Sequence, residues 1–428
     1  MTLHNHLGSP LAVTKIGILV GGGPAPGINS VIEAATIRSL LRGVEVVGIQ
    51  DGFKWLMRGD ASRIRPLTYD TVSRIHFQGG SFLGTSRANP TKDAHSLSAV
   101  VSTLDRLRIQ GLITIGGDDT AFSAMRVEQA AQDRLRVVHV PKTIDNDLCL
   151  PHGMSTFGFQ TARHVGVEIV KNLMVDARTT SRWYVVVTMG RKAGHLALGI
   201  GKAAGATLTV IPEEFVHDRD GRIKLSDLAN IVVGAIAKRL HMGRMDGVVV
   251  LAEGLVELLD QEELERLGHV ERDEHGHLRL SELDLGRMVK QEVAHALDRA
   301  GIKMTIVSKN IGYELRCADP IPFDMEYTRD LGYCAAQYLL DGGSAAMVTV
   351  DNNGRFSPLP FKEMLDPATG RTKVRMVDIQ SESYIIARDY MVRLTAQDLK
   401  NEAFVASVAA SLNLTPEAFR QRFAPVVH

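Results

Sequence analysis

The sequence predicts an α/β fold in which mostly parallel sheets form two lobes, followed by a C-terminal extension. Short runs of β-branched residues alternate with amphipathic stretches, which is the pattern of strands and helices in turn. The runs lack strict polar alternation, as expected of parallel strands covered on both faces. Glycine or aspartate follows most runs, which places loops at the carboxyl ends of the strands. Together these features predict two Rossmann-like lobes.

Nine apolar runs are predicted as strands. They are residues 15–20, 44–49, 111–115, 137–140, 183–188, 206–211, 247–252, 305–310 and 345–349. The runs fall into two blocks, so we expect a first lobe of residues 1–158, completed by about 324–360, and a second lobe of residues 159–323. Residues 361–428 are expected to form the extension, as a cap or a subunit contact.

Length and composition fit a cytoplasmic, enzyme-like protein. The 428 residues suffice for two or three domains of roughly 150 residues each. Lys and Arg together number 49, and Asp and Glu together also number 49, so the formal net charge is zero. The chain therefore lacks the positive electrostatic field of a dedicated nucleic-acid binder. Its longest nearly apolar run, residues 247–259, is too short to span a membrane. Residues 1–13 do not resemble a signal peptide, and three cysteines without CxxC spacing suit a reducing compartment.

A glycine-rich segment, GGGPAPGIN at residues 21–29, follows the first strand and precedes a helix predicted from Ser30. Glycine lets the backbone approach a phosphate closely, and the following helix offers free N–H groups at its start. No register supplies the GxGxxG of a dinucleotide loop, and Ile28 and Asn29 replace the residues that a Walker A loop needs. The segment is therefore an anion site of another kind or a structural turn.

Two aspartates follow the strand at residues 111–115, in a loop of sequence GGDDT at residues 116–120. Carboxylates beside glycines at a strand end can hold Mg²⁺, with phosphate oxygens as further ligands. The same residue types also favour a turn without a ligand. Asp118 and Asp119 alone leave both interpretations open.

The segment PKTIDND at residues 141–147 follows the strand at residues 137–140. Phosphoryl transfer needs a cation to spread the developing charge and a carboxylate to accept the proton of the acceptor hydroxyl. Lys142, Thr143, Asp145 and Asp147 supply such groups at one strand end. This segment is therefore predicted to contain the catalytic residues.

In this order, the three segments resemble the phosphofructokinase family over roughly residues 15 to 330. Three further segments match family motifs: the run GGSFLGTSR that ends at Arg87, the run Met189-Gly190-Arg191, and the run YELR at residues 313–316. The resemblance implies a phosphofructokinase-like fold, Mg²⁺ as cofactor, and phosphoryl transfer to C1 of fructose 6-phosphate.

The resemblance also implies a role for individual residues. The residues expected to act in catalysis are Asp145, Lys142 and Asp119. Asp118 is expected to bind the metal ion. Gly23, Arg87 and Lys142 are expected to bind the diphosphate donor. Those expected to contact the sugar phosphate are Thr143, Ile144, Asp145, Asp147, Arg182, Met189, Gly190, Arg191, Glu253, Tyr313 and Arg316. Family members lend the arginine matched by Arg182 to a neighbouring subunit, which implies a homodimer or a homotetramer.

Two positions distinguish the phosphoryl donor within the family. ATP users usually carry Gly at the positions of Asp119 and Lys142, whereas the diphosphate-dependent branch resembles this chain at both. An Asp119 carboxylate would repel the α-phosphate of ATP, and Lys142 would supply charge stabilisation to a donor that lacks a nucleotide. The resemblance therefore implies reversible transfer from diphosphate to fructose 6-phosphate, giving fructose 1,6-bisphosphate and phosphate.

Three alternatives stay open from the sequence. The first is an ATP-dependent 6-phosphofructokinase that tolerates Asp119 and Lys142. The second is the same chemistry on sedoheptulose 7-phosphate, which shares a sugar-phosphate end with fructose 6-phosphate. The third is a non-catalytic paralogue that binds sugar phosphate in a regulatory role, although every predicted catalytic position is filled.

Overall fold

The computed structural model describes residues 13–151, 153–215, 222–266, 283–368, 370 and 372–427. Residues 1–12, where no signal peptide is expected, lie outside this part of the chain. The strands in it are β1 (Lys15–Val20), β2 (Glu45–Ile49), β3 (Ile64–Pro66), β4 (Gly111–Gly116), β5 (Arg136–Pro141), β6 (Arg182–Thr188), β7 (Leu208–Val210), β8 (Gly247–Ala252), β9 (Thr305–Ile311), β10 (Ala346–Val350) and β11 (Phe356–Pro360).

The helices begin with α1 (Ile28–Leu41), α2 (Tyr69–Val72), α3 (Ala94–Arg106), α4 (Asp118–Ala131), α5 (Phe159–Thr180), α6 (His195–Ala204), α7 (Leu225–His241) and α8 (Leu255–Leu258). They continue with α9 (Gln261–Arg266), α10 (Leu285–Arg299), α11 (Tyr313–Arg316), α12 (Pro322–Leu340), α13 (Glu382–Asp389), α14 (Ala396–Lys400), α15 (Glu402–Ser411) and α16 (Pro416–Phe423). Among the described residues, no helix combines the length and the apolar character that crossing a membrane requires.

The predicted α/β class with mostly parallel sheets is confirmed. All nine predicted strands are present, with ends shifted by at most about two residues, a normal uncertainty for element boundaries. The sequence did not reveal β3 and β11, which pair antiparallel at the two edges of the larger sheet. Both are partly exposed and contain proline, which sheets tolerate at their edges, so neither forms an apolar run.

The chain divides into two compact units. Unit 1 comprises Met1–Ala162 and Glu314–Arg375 and contains a seven-stranded sheet of order β11-β10-β5-β4-β1-β2-β3. Helices α1 and α12 pack on one face of this sheet, and α3 and α4 pack on the other. Ile16 and Ile18 of β1 face the first pair of helices and Leu19 faces the second, which explains why this strand is apolar throughout.

Unit 2 comprises Arg163–Tyr313 and Met376–His428 and contains a four-stranded parallel sheet of order β7-β8-β6-β9. Its core includes α7 and α10 together with the C-terminal helices α15 and α16, whose Val405, Phe419 and Phe423 are buried. The tail after residue 360 therefore supplies residues to both units, to unit 1 as far as Arg375 and to unit 2 from Met376.

Two helix starts differ from the sequence prediction. The prediction of a loop at residues 116–120 is wrong except at Gly117, because Gly116 ends β4 and Asp118, Asp119 and Thr120 form the first turn of α4. Acidic side chains are favourable there because the start of a helix carries partial positive charge. Helix α1 begins at Ile28 and not at Ser30, because Gly27 adopts a left-handed φ of 100° immediately before it.

Candidate active site

The structure brings the three predicted loop segments to one edge of the sheet in unit 1. Strands β5, β4 and β1 are neighbours in the sheet and run parallel. Their carboxyl ends lead into residues 142–147, 117–119 and 21–23, respectively. Ligands of open α/β sheets bind at this edge, so these three segments lie where the fold class favours a binding site.

Small residues at the strand ends allow α4 to begin close to the sheet. A Cβ atom on Gly21 would lie 2.4 Å from Oγ1 of Thr120, and one on Gly116 would lie 2.3 Å from Cβ of the same threonine. Real Cβ contacts are not this short, so both positions require glycine for Thr120 to pack between β1 and β4. This packing fixes the first turn of α4, with Asp118 and Asp119, beside the glycine-rich segment.

The Lys142 side chain is buried at the same edge, with a relative exposure of only 5%. Its Nζ atom donates a hydrogen bond of 2.5 Å to the carbonyl oxygen of Gly23. Its backbone N–H donates to the carbonyl oxygen of Gly116 at 2.8 Å. Lys142 thus links the end of β4 to the glycine-rich segment and holds a positive charge there.

The surroundings of Lys142 perturb its ionisation. Burial, and then the positive charge of Arg316, lower the pKa of Lys142 to about 8. The carboxylates of Asp145, Asp147 and Asp118 act in the opposite direction and favour the charged amine. One buried amine therefore senses carboxylates from two of the three segments, which indicates that these groups face a common point.

Arg316, the last residue of α11, packs directly on Gly23. A Cβ atom on Gly23 would lie 1.8 Å from Nη2 of Arg316, so any larger residue at position 23 would displace this guanidinium group. The resemblance assigns Arg316 to the sugar phosphate, and the structure places it beside the residues assigned to the donor. Two cations, Arg316 and Lys142, meet at one glycine, an arrangement that favours a polyanionic ligand.

Arg87 follows a segment that lies along the glycine-rich loop. The backbone N–H of Gly22 donates to the carbonyl oxygen of Ser86 at 2.9 Å. The hydroxyl of Thr85 donates to the carbonyl oxygen of Gly22 at 2.6 Å. These bonds bring the backbone at Arg87 next to Gly23, and the Arg87 side chain is exposed.

The segment that carries the predicted base is held by local hydrogen bonds. The backbone N–H of Asp145 donates to the hydroxyl oxygen of Thr143 at 3.0 Å. Asn146 adopts a left-handed φ of 57° between the two aspartates. Thr143, Asp145 and Asp147 are partly exposed, whereas the side chain of Ile144 is buried.

Unit 2 contains a second group of predicted residues at the carboxyl edge of its own sheet. Strands β8, β6 and β9 are neighbours and parallel. The residues that follow them are Glu253 after β8, Met189, Gly190 and Arg191 after β6, and Tyr313 shortly after β9. The structure therefore brings these five predicted sugar-phosphate residues to one edge.

Close backbone contacts hold these segments together. The N–H of Gly254 donates to the carbonyl oxygen of Gly190 at 3.0 Å, and a Cβ on Gly254 would lie 2.3 Å from the carbonyl oxygen of Arg191. A Cβ on Gly312 would lie 2.6 Å from Cγ of Met189. The side chains of Arg191 and Tyr313 are exposed, the latter with a relative exposure of 77%, and are accessible to a ligand.

Arg182 does not join this group. It is the first residue of β6, whereas Met189 to Arg191 follow the last, so the seven-residue strand places them about 20 Å apart. Nε of Arg182 lies 3.6 Å from Oδ2 of Asp176, and the Arg182 side chain is 33% exposed. The carboxyl edge of the unit 2 sheet therefore contains no contribution from Arg182 of the same chain.

The carboxylates of unit 1 suit one mode of binding a divalent cation. Among the described residues, no three or more His, Cys, Asp or Glu side chains are grouped to hold a metal. Mg²⁺ is commonly held by one or two carboxylates together with phosphate oxygens and water, and not by a cage of protein ligands. The Asp118 carboxylate, in the first turn of α4 and close enough to influence Lys142, suits this mode.

Two residues near this site were missed by the sequence interpretation. His139 of β5 is buried, and its Nε2 donates to the carbonyl oxygen of Gly116 at 3.0 Å, while Nδ1 lies 2.8 Å from the Thr114 hydroxyl. Burial lowers the pKa of His139 to about 3, which keeps the ring neutral. The signal that could have revealed His139 was the presence of a histidine within an otherwise apolar strand. Arg375, which contacts Asn146, gave no local signal.

Comparisons with known proteins identify the family of this chain. The sequence profile described as Phosphofructokinase matches residues 15–339. A Thermotoga maritima protein named pyrophosphate–fructose 6-phosphate 1-phosphotransferase is 51% identical over 417 residues, covering 96% of this chain and 98% of its own. A Naegleria fowleri protein of the same name is 49% identical over 421 residues, covering 97% and 96%.

A solved structure shows the same fold at much lower sequence identity. The pyrophosphate-dependent phosphofructokinase from Marinobacter aquaeolei is 18% identical, with a TM-score of 0.65, over 89% of this chain and 91% of that one. The profile match covers most of the chain, and the two relatives above cover nearly all of it. The chain therefore belongs to the phosphofructokinase family.

Proposed function

We propose that this protein catalyses the reversible transfer of a phosphoryl group from diphosphate to C1 of fructose 6-phosphate, giving fructose 1,6-bisphosphate and phosphate. The observation that carries the proposal is the buried amine of Lys142 at the Gly23 carbonyl, beside the guanidinium of Arg316. ATP users of the family usually carry glycine at position 142. The names of the two relatives at about half identity support the same donor.

On the donor side, Gly23, Arg87 and Lys142 bind diphosphate. The positive charges of Lys142 and Arg316 stabilise the negative charge that develops on the phosphoryl group during transfer. Because these cations are already in place beside Gly23, they need no reorganisation at the moment of reaction. Asp118 would hold Mg²⁺, which when bound would supply positive charge to the diphosphate.

On the acceptor side, Asp145 takes the proton of the C1 hydroxyl as that oxygen attacks the phosphorus atom. Thr143 fixes the backbone of Asp145 through its hydroxyl oxygen. The residues that we propose to contact the sugar phosphate are Thr143, Ile144, Asp147, Met189, Gly190, Arg191, Glu253, Tyr313 and Arg316. Arg182 completes the set from a second copy of the chain, so we propose that the enzyme is at least a homodimer.

Phosphorus NMR tests the proposal directly. The enzyme is incubated with Mg²⁺, diphosphate and fructose 6-phosphate, and in a parallel sample with sedoheptulose 7-phosphate. We expect the diphosphate signal to decay with equal gains of orthophosphate and of a sugar 1-phosphate, faster with fructose 6-phosphate. Adding orthophosphate to fructose 1,6-bisphosphate should regenerate diphosphate. Diphosphate that stays intact, despite binding of fructose 6-phosphate in calorimetry, would instead indicate a regulatory sugar-phosphate binder.

Replacing Asp119 by glycine should admit ATP as a donor. The Asp119 carboxylate is exposed in the first turn of α4, where the partial positive charge of the helix would otherwise attract a phosphate. Removing this like charge should raise kcat/KM for ATP by about tenfold. The matched control is Asp70→Gly, which removes an exposed aspartate from the first turn of α2 and should leave ATP use unchanged. ATP exclusion that survives Asp119→Gly would show that this carboxylate does not select the donor.

The pH dependence of the reaction should report the ionisation of Lys142. With its pKa at about 8, Lys142 loses its proton as the pH rises, so kcat/KM for diphosphate should fall through that range. Bound diphosphate favours the charged amine and raises its pKa, so kcat should persist to higher pH. Lys142→Arg, which stays charged, should abolish the fall in kcat/KM once the ionisation of diphosphate itself is subtracted. A wild-type profile that stays flat to pH 9.5 would contradict this assignment.

A further inference from the structure

We propose that Arg375 is a positioning residue for the catalytic segment, and that residues 372–375 strap this segment in its active shape. The inference rests on the proposed function, because the segment carries Asp145, the proposed base. Arg375 lies in the tail, beyond residue 339 where the family profile ends. The motifs shared across the family therefore do not include it.

The guanidinium group of Arg375 is bonded to the backbone around the base. Nε and Nη2 donate to the carbonyl oxygen of Asn146 at 3.1 and 3.0 Å, and Nη2 also donates to Oδ1 of Asn146. Nη1 donates to the carbonyl oxygen of Met154 at 2.6 Å. All of these acceptors are neutral oxygens, so these bonds fix the path of the segment.

Backbone pairing adds to these side-chain bonds. The N–H of Arg375 donates to the carbonyl oxygen of Asp147 at 2.8 Å, and Val374 pairs antiparallel with Leu148. At the start of the strap, Thr372 pairs antiparallel with Leu365. The strap therefore joins residues 147–148 to the chain that follows β11, with Arg375 at its end.

The conformation that Arg375 holds is an uncommon one. Asn146 has a φ of 57°, in the left-handed region, which asparagine adopts more readily than most residues but still at a cost. The backbone N–H of Thr156 donates to Oδ1 of Asn146 at 3.0 Å, on the same atom that Arg375 contacts. Asp145 and Asp147 flank Asn146, so its backbone angles set the directions in which the two carboxylates project.

A positioning role is consistent with the surroundings of Arg375. Burial lowers its pKa, while the negative charge of the Asp147 carboxylate acts in the opposite direction. An arginine stays protonated under such conditions, and its planar group can serve several acceptors at once. Lysine retains the charge but presents its three N–H donors from one nitrogen, so it cannot reproduce the geometry in which three separate nitrogens of Arg375 reach Asn146 and Met154.

The first test compares Arg375→Ala and Arg375→Lys with wild type in steady-state kinetics. We expect kcat to fall by about 10- to 100-fold in both, with each KM changed by less than about threefold, because a misplaced base slows the transfer but not the binding. Ethylguanidinium should restore part of the activity of Arg375→Ala. Lys373→Ala, an exposed residue of the same strap, should behave as wild type. Unchanged kcat, or a raised KM with normal kcat, would overturn the inference.

A second readout does not depend on turnover. Amide hydrogen exchange in peptides covering residues 143–150 should accelerate in both Arg375 variants, while peptides of β6 in unit 2 stay protected. If Arg375→Ala does not fold, Arg375→Lys carries the test, because it keeps the charge and most of the side-chain length. A wild-type enzyme without diphosphate activity would contradict the proposed function but not the strap. Unchanged hydrogen exchange at residues 143–150 in the variants would contradict the strap, whatever their activity.

Discussion

Asp145→Asn is expected to lower kcat by about 10²- to 10⁴-fold while leaving the KM for diphosphate nearly unchanged. Asparagine has the shape of aspartate but cannot accept the proton of the C1 hydroxyl. The loss corresponds to about 3 to 5 kcal/mol of activation free energy. Steady-state assays of fructose 1,6-bisphosphate formation measure it.

The control for this variant is Asp351→Asn, in which a partly exposed aspartate after β10 loses its charge. It should retain wild-type kcat. The loss in Asp145→Asn should also appear in the reverse direction, because the same carboxyl group must return the proton. A decline of less than about tenfold in both directions would show that Asp145 is not the base.

Lys142→Met is expected to lower kcat/KM for diphosphate by about 10²- to 10³-fold. Methionine fills a similar space but carries no charge, so the negative charge that develops on the phosphoryl group would lose one of the two cations fixed beside Gly23. Stability should not suffer in parallel, because the substitution removes a buried charge that lies near a second cation. Activity and thermal melting should therefore respond differently.

The matched control for the second variant is Lys362→Met, which alters an exposed lysine. It should leave both kcat/KM and the melting temperature unchanged. Activity of Lys142→Met within about threefold of wild type would contradict the role of this amine. A large fall in the melting temperature of Lys142→Met would mean that its hydrogen bond to Gly23 serves the fold.

The parallel core of the fold could be predicted from the sequence because its strands are buried on both faces. Such strands form continuous apolar runs, and β1, with helices on either side, is an example. The edge strands β3 and β11 leave no such run. Their short length, proline content and partial exposure are indistinguishable from a loop in the sequence.

The candidate site was predictable to the extent that it lies at strand ends. Asp118 and Lys142 in unit 1, and Glu253 in unit 2, each follow a recognisable strand, and parallel pairing brings strand ends together within each sheet. The contact between Arg375 and Asn146 spans 229 positions of the chain and has no such rule behind it. The packing of Arg316 on Gly23 was equally hidden, because it depends on how α11 meets the sheet of unit 1.

Net charge gave little information about the ligand. The chain carries 49 residues of each sign, yet the structure concentrates Lys142 and Arg316 at Gly23. Two fixed cations at a strand end can recognise a polyanion without a basic surface. A balanced composition therefore argues against a partner that needs an extended basic surface, such as nucleic acid, but it does not exclude a phosphorylated substrate.

The measurement that tests the central claim most directly is the ratio of kcat/KM for diphosphate to kcat/KM for ATP. It is measured on wild-type enzyme with fructose 6-phosphate and saturating Mg²⁺. The charges at Lys142 and Asp119 predict a ratio of at least about 10² in favour of diphosphate. Efficient turnover with ATP and none with diphosphate would contradict the assignment of the donor.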